Sequence, residues 1–433
     1  MKRIGLISLG CAKNLVDSEM ILAMFPQDRF VFVTDLAEAD FIIVNTCGFI
    51  ESAKRESIDA ILGLAKYHAK VVVVGCLAER YQEQLEESLP EADLIVAIRD
   101  YDGLHTYFKE LMGEDGILPF HPLRRVLSTA PFSAYLRISE GCNNFCSFCA
   151  IPFIRGRFRS RPYDEILTEA RQLRDSGVKE ISLISQDTTI YGQDFNGKKP
   201  DICDLLRALE GLGFYSIRLL YLYPSEISDE LIDLIAHSKV IAHYFDIPVQ
   251  CASNKLLKLM RRHCTQQATV ELFHKIRKKC PDAILRTTLI AGFSGETIED
   301  HRQSLRFLEE IEFDHMGCFA YSPEEGTYGA SLPHRVRTAT KQRRVNELMA
   351  LQRRISYRKN LARVGQTMEG LVLGPTARPN EYRMRTYWNA PDDVDGDLYV
   401  TSAEALEPGQ IARVRIDGAF AYDLHGVVIA GDE

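Results

Sequence analysis

The stretch GCNNFCSFCAIP carries Cys142, Cys146 and Cys149 in a C-x3-C-x2-C spacing, with no fourth cysteine and no histidine close by. Clustered thiols of this kind point to a metal before they point to packing. The flanking Asn143, Asn144 and Ser147 suit a loop better than a core. Structural zinc takes four ligands in a closed tetrahedron, so three would leave it short unless a distant residue completed the set. A four-iron cubane normally takes one cysteine per iron. Three cysteines would hold three irons and leave the fourth open to a substrate. The competing reading is three packed thiols, because free cysteine is often simply buried. A second set is dispersed. Cys11, Cys47 and Cys76 each close an apolar run, in LISLGC, IIVNTC and VVVVGC. Ligands of an open parallel sheet bind just beyond the carboxyl ends of its strands. Three cysteines at equivalent strand ends would converge on one edge, which favours a second cluster over three unrelated buried thiols.

The elements that must position these residues fall into three parts. Over 1–112, RIGLISLG, FIIVNTCG, VVVVGCLA and LIVAI read as strands of an open parallel α/β sheet, with VDSEMILAMF and ESAKRESIDAILGLAKYH as covering helices. MGEDGILPFHPLRR reads as a linker. Over 128–363 the rhythm resumes with SAYLRISEG, KEISLISQD, SIRLLYLYP, HYFDIPVQ, AILRTTLIAGF and HMGCFAYSP as strands, separated by helices. Six or more strands alternating with helices predict a partial (β/α) TIM-like barrel. Thr297 and Asp300 have capping-box spacing at the start of one helix. A basic helical linker over 338–363 leads to 366–433. There MEGLVLGP, YRMRTYW, DLYV and QIARVRIDGAFAYDLHGVVIAG predict a small antiparallel β-barrel.

Composition sets the compartment. The 433 residues are 46% hydrophobic and 26% charged, as in an ordinary globular protein. No apolar run reaches the roughly 20 residues that span a bilayer. MKRIGLISLG is too short for a secretory signal, so a cytoplasmic protein without membrane contact is expected. Eleven cysteines in a reducing compartment argue for metal or redox chemistry over disulfides. The net charge of −8 argues against a protein that coats nucleic acid.

The C-x3-C-x2-C loop after the first strand of a βα barrel resembles the radical S-adenosylmethionine (SAM) superfamily. The resemblance implies that the open iron chelates SAM and that one electron cleaves its sulfonium. The resulting 5′-deoxyadenosyl radical takes hydrogen from an unactivated carbon. It also places Phe148 near the adenine, together with Gly292 in LIAGFSGET. Over nearly the whole chain, SLGCAKNLVDSE, NTCGFIESAKRES, GCNNFCSFCAIPFIRGRFRSRP, IPVQCAS and RTTLIAGFSGET resemble the methylthiotransferase family. That family has a cluster domain, a radical SAM barrel and a C-terminal TRAM barrel, and it replaces C–H with C–SCH3. The resemblance implies two 4Fe-4S clusters, held by Cys142, Cys146 and Cys149 and by Cys11, Cys47 and Cys76, the second carrying sulfur to the substrate. SAM then serves as both methyl donor and radical source. An external electron donor such as a flavodoxin or ferredoxin is implied; the sulfur source stays open. The family usually shows histidine where this chain has Cys251, which leaves the role of that side chain open.

The family divides between enzymes acting on tRNA adenosine and an enzyme acting on an aspartate β-carbon of a small-subunit ribosomal protein. SIRLLYLYPSEISDELIDLIA and RTYWNAPDDVDGDLYV resemble the ribosomal-protein branch. Residues 367–433 hold five Arg, no Lys and twelve Asp or Glu, a charge that suits a basic protein better than RNA. The carboxylates Asp392, Asp393, Asp395 and Asp397 in DDVDGD are expected in an exposed turn that meets this partner. The tRNA enzyme is the alternative, and a non-catalytic iron–sulfur or zinc protein that binds RNA is the alternative of another class. RGRFRSRP, from Arg155 to Pro162, is either a solvated run or a set of guanidinium groups for anionic ligands. Cys203, Cys264, Cys280 and Cys318 are expected to be packed thiols, whereas Cys251 would reach the active-site mouth if its strand end faces it.

Overall fold

The computed structural model describes residues 1–391 and 394–429. Strands β1 (Lys2–Ser8), β2 (Phe30–Phe32), β3 (Phe41–Thr46), β4 (Lys70–Gly75) and β5 (Leu94–Val96) form one sheet in the order β2-β1-β3-β4-β5. Every pairing is parallel. Ile43, Val72 and Phe108 belong to an apolar cluster on one face; Ile42, Val44, Val73 and Ile61 belong to another on the opposite face. Burial on both faces is why FIIV and VVVV are unbroken apolar runs instead of alternating ones. β2 is only three residues long, too short to show a period. Helices α1 (Ala12–Leu22), α2 (Glu51–Leu62) and α3 (Cys76–Ser88) follow β1, β3 and β4.

The next strands are β6 (Ser133–Arg137), the short antiparallel pair β7 (Ser139–Glu140) and β8 (Arg159–Ser160), then β9 (Glu180–Ile184), β10 (Ser216–Leu219), β11 (Tyr244–Asp246), β12 (Ile284–Ala291) and β13 (His315–Ala320). β6, β9 and β10 pair in parallel, as do β11, β12 and β13. A bridge between Ile217 and Ile241 joins the two sheets into a six-stranded partial barrel. Alternate strand residues, Leu136, Leu183, Ile217 and Leu285, pack outward in the main core with Ile166, Leu205, Phe273 and Phe307 of the surrounding helices. The intervening residues point the other way, because side chains alternate along a strand. There Tyr135, Tyr244 and Ile284 meet Ala12, Val16 and Met20 of α1 and Trp388 of the C-terminal region. The first and third parts of the chain therefore close over the barrel's inner face. The helix Thr338–Leu361 packs on the barrel through Leu348, Leu351 and Ile355. The Thr297–Asp300 capping box is formed.

Strands β14 (Thr367–Pro375), β15 (Glu381–Arg385), β16 (Leu398–Thr401), β17 (Ile411–Ala419) and β18 (Leu424–Ile429) make a closed barrel in the order β14-β15-β16-β18-β17. All pairs are antiparallel except β16–β18. An odd number of strands cannot alternate direction around a closed ring, so one pair must be parallel.

The acidic turn is corrected by the fold. Asp395 is buried at 4% exposure. It accepts from Arg286 Nε at 3.1 Å, from the Tyr244 hydroxyl and from Ala390 N–H at 2.9 Å. Asp397 accepts from Arg383 Nε at 2.9 Å. Asp392 and Asp393 lie outside the described residues. A local run of acids reads as solvated only until a neighbouring domain presents an inward-facing arginine. No helix among the described residues is long and apolar enough to cross a membrane.

Candidate functional site

The loop after β6 and β7 is pinned before any cofactor is considered. Gly141 has φ +75, and a Cβ there would lie 2.1 Å from the Arg157 carbonyl oxygen, so only glycine fits. Cys142 N–H donates to Gly156 O at 3.1 Å, and Cys149 N–H to Cys146 O at 3.0 Å. Ser147 N–H donates to Met260 O at 3.0 Å, and its hydroxyl to Leu259 O at 2.8 Å. Asn144 Nδ2 donates to Asp187 at 2.8 Å. Burial pushes the Cys142 thiol up to about 11 and Cys149 higher still, each with another thiol of the set close enough to raise it further. Such thiols stay protonated until a cation replaces the proton. Arg262 points at them: Nη1 lies 3.7 Å from Cys146 Sγ, and Nη2 donates to Pro248 O at 2.6 Å. A cleft of about 720 Å³ opens beside the loop, lined by Phe145, Cys146, Cys149, Phe153, Arg261 and Tyr328. That is the size of a small-molecule site.

Phe148 packs on an apolar cluster formed by Cys251, Leu256, Met260, Phe293 and Tyr321. Cys251 is therefore a packed thiol beside Phe148, pushed up to about 12 by burial. Gly292 has φ +78, and a Cβ there would meet Lys341 Cγ at 2.3 Å. Its N–H donates to the Glu296 carboxylate. That Cβ direction is covered by the helix Thr338–Leu361.

Cys11, Cys47 and Cys76 lie at the carboxyl ends of β1, β3 and β4, which are neighbours in the sheet. Cys11 is exposed, whereas Cys47 and Cys76 are buried. Gly10, with φ +94, lets Cys47 approach: a Cβ on Gly10 would be 3.2 Å from Cys47 Sγ. Asn14 on α1 clamps two strand ends, its Nδ2 donating to Leu9 O at 3.0 Å and Thr46 O at 2.9 Å. Ser57 on α2 brackets Cys47, accepting from its N–H at 3.0 Å and donating to its carbonyl at 3.1 Å. Burial pushes Cys47 up, and Cys76 up to about 11.

The basic run after the barrel cysteines divides. Arg155 is buried against Asn14, Asp17 and Cys76 of the first domain. Arg161 pairs with Glu169 at 2.6 Å. Arg157 stacks over the Phe145 ring at 4.3 Å. Cys76 also packs with Ala150 and Ile154, just past Cys149, so the two cysteine sets face each other across the domain seam. Sequence reasoning missed Asn14, Arg155 and Arg262 as partners of the thiols. Asn14 lies three residues after Cys11 and Arg155 in the basic run, but a single chain shows neither contact. A separate group, His243, Cys280 and Asp282, brings its ligand atoms within 4.8 Å at the other end of the strands. An imidazole–carboxylate pair at 2.9 Å accounts for that approach. Neither cysteine triplet has its three sulfurs within 4.8 Å of one another among the described residues.

A profile described as Uncharacterized protein family UPF0004 matches residues 3–97, the Radical SAM superfamily matches 136–308, and the TRAM domain matches 364–429. The chain is 43% identical to the ribosomal protein uS12 methylthiotransferase RimO of Acetivibrio thermocellus, over 99% of this chain and 98% of that protein. It is 45% identical to the protein of that name from Aquifex aeolicus, over 98% and 96%. A solved radical SAM methyltransferase, TsrM from Kitasatospora setae with cobalamin and a [4Fe-4S] cluster bound, shares the fold at TM-score 0.54 and 13% identity, over 88% of this chain and 77% of that one. Radical SAM membership implies a [4Fe-4S] cluster and SAM for this chain. With near-complete coverage at this identity, the chain belongs to the RimO family of ribosomal protein uS12 methylthiotransferases, which are radical SAM transferases.

Proposed function

We propose that this enzyme replaces a C–H bond with C–SCH3 at the β-carbon of an aspartate in ribosomal protein uS12, in the cytoplasm, with electrons from a flavodoxin or ferredoxin. The relatives' shared name supports the substrate. We assign a [4Fe-4S] cluster with an open iron to Cys142, Cys146 and Cys149, and a second to Cys11, Cys47 and Cys76. The observation that carries this reading is placement: Cys11, Cys47 and Cys76 lie at the ends of neighbouring strands, and Cys76 packs on Ala150 and Ile154, just past the barrel loop of Cys142, Cys146 and Cys149. Three thiols per set match a cubane that keeps one iron open, whereas structural zinc takes four ligands.

When bound, a cluster with SAM supplies the reducing electron and the hydrogen-atom abstraction that open an unactivated C–H bond. The chain's own groups prepare that site. Arg262 offers a charged N–H to the Cys146 sulfur. Phe148, packed against the buried cluster of Phe293 and Tyr321, is assigned to the adenine, with Gly292 at the positive-φ turn beside it. Residues 1–112 carry the sulfur-delivering site, 128–363 the radical chemistry and 366–433 substrate recognition.

Anaerobic reconstitution should load about eight irons per chain, four per cubane. Replacing Cys11, Cys47 and Cys76 with Ala should leave release of 5′-deoxyadenosine but stop methylthiolation of uS12, as read by mass spectrometry. Methylthiolated tRNA adenosine, in place of modified uS12, would overturn the substrate assignment. Zinc in place of iron would overturn the cluster assignment.

A further inference from the structure

The guanidinium of Arg155, six residues past Cys149, reaches the first domain's cysteine set at Cys76, and nothing in the radical reaction assigns it a task. The residue lies just past the barrel cysteines in sequence, yet its side chain is 2% exposed inside the first domain's site. Nη1 pairs with Asp17 Oδ2 at 2.7 Å and Glu140 Oε2 at 3.4 Å. Nη2 donates to Asn14 Oδ1 at 2.7 Å and lies 3.4 Å from Cys76 Sγ. The outer N–H groups of the fork thus face four acceptors, drawn from α1, α3 and β7. A lysine, with one nitrogen, cannot span them.

The Cys76 sulfur needs that donor. The sulfur also lies 3.3 Å from Asn14 Oδ1. The Asn14 amide nitrogen is committed to the Leu9 and Thr46 carbonyls, so the oxygen is held toward the sulfur. A neutral thiol donates to that oxygen. A metal-bound thiolate cannot, and it would face an acceptor with nothing to share. Arg155 is then the cationic donor that compensates it.

We propose that Arg155 is a positioning residue of the first domain's cluster site: it supplies the charged hydrogen bond to the Cys76 sulfur and so sets the reduction potential of the group held there. This rests on the second-cluster reading. Hydrogen bonds to cluster sulfurs and nearby positive charge favour the reduced, more negative state and raise the potential. Because the donor comes from the barrel segment, the first domain's site is electrostatically complete only when the barrel is docked. A purely structural Arg155, present to neutralise Asp17 and Glu140, would affect stability and leave the potential alone.

The test uses the full-length reconstituted enzyme with both sites loaded. Redox titration followed by electron paramagnetic resonance gives a potential for each signal, and SAM addition marks the barrel signal as the one that moves. Arg155→Gln keeps a donor without charge, and Arg155→Lys keeps charge without the fork. Both are expected to shift the SAM-insensitive signal to more negative potential, with the larger shift in Arg155→Gln. Losing the guanidinium leaves Asp17 buried with less compensation, so Asp17→Asn combined with Arg155→Gln provides a variant with a lighter buried charge; its shift should be smaller than that of Arg155→Gln, because removing the Asp17 carboxylate raises the potential. A SAM-insensitive potential equal to that of the unsubstituted enzyme in both Arg155→Gln and Arg155→Lys, with iron content retained, overturns the proposal. Only about four irons in the unsubstituted enzyme, with one SAM-responsive signal, would instead overturn the second-cluster reading.

Discussion

Gly141 and Cys149 show how little slack the barrel loop has. Replacing Cys149 with Ala removes one anchor of the proposed cluster, and 5′-deoxyadenosine formation should fall to background in a reductant-driven assay. The same substitution at Cys251 should leave iron content unchanged, because that thiol is packed beside Phe148 and takes no part in either set. Gly141→Ala is a different failure. The new methyl meets the Arg157 carbonyl, and a positive φ is forced on alanine, which costs about 1–3 kcal/mol. Cys142 must move with it. The expected result is a lower Tm together with loss of about half the bound iron, from the barrel set alone.

At the scale of elements, the inner face of the barrel is closed by parts of the chain far from it in sequence. α1 enters from one domain and Trp388 from another. The closure is polar as well as apolar. Arg218 Nη2 donates to Thr386 O at 2.7 Å, His315 Nε2 lies 2.8 Å from Trp388 O, and Arg286 meets both Asp246 and Asp395. Burial alone would push Asp395 up, but His315, Arg286 and the Tyr244 hydroxyl hold it below the usual carboxylate range. Its contribution to stability is therefore full above the unfolded value of about 3.9 and is lost as pH falls through the lower folded value. Asp395→Asn should flatten that part of the acid limb when Tm is followed against pH. Asp395→Ala should cost about 3 kcal/mol, because it leaves Arg286 short of a partner and the Tyr244 hydroxyl unsatisfied. Protease sensitivity of the region following Leu361 would report the undocked barrel.

At the scale of the whole molecule, the C-terminal barrel carries a net acidic charge, yet its central carboxylate is spent on docking. The exposed acids of this barrel include Glu404, Glu407 and Asp417, the last beside His425 Nδ1 at 2.7 Å. Reversing these three to Lys should weaken binding of the basic substrate protein, with the salt dependence of Kd reduced, since exposed charges are screened within about 8 Å at physiological ionic strength. Titration calorimetry at two salt concentrations checks this. Unchanged affinity would move recognition away from this barrel.

Much of the candidate site was legible in the amino-acid sequence because its signals are local. The spacing of Cys142, Cys146 and Cys149 is set within one loop. Cys11, Cys47 and Cys76 announce themselves by the apolar strand each one ends, and the strand order β1-β3-β4 then makes them neighbours. The six-strand barrel follows from its alternation with helices, and the capping box at Thr297 from a pair three residues apart. What a single chain cannot show is which charge meets which. Arg155 and Asp17 are 138 residues apart by number and Asp395 lies over a hundred past Arg286, so their pairing has no local period. Docking removes these groups from water, and a charge removed from water must find a partner in the other domain. That requirement turned Arg155 from part of a surface run into a buried partner of Asp17 and Cys76. It also turned Asp395 from an exposed acid into a docking contact. Residue types and strand-end positions come from the chain alone; burial and charge pairing were decided by how the three domains close on one another.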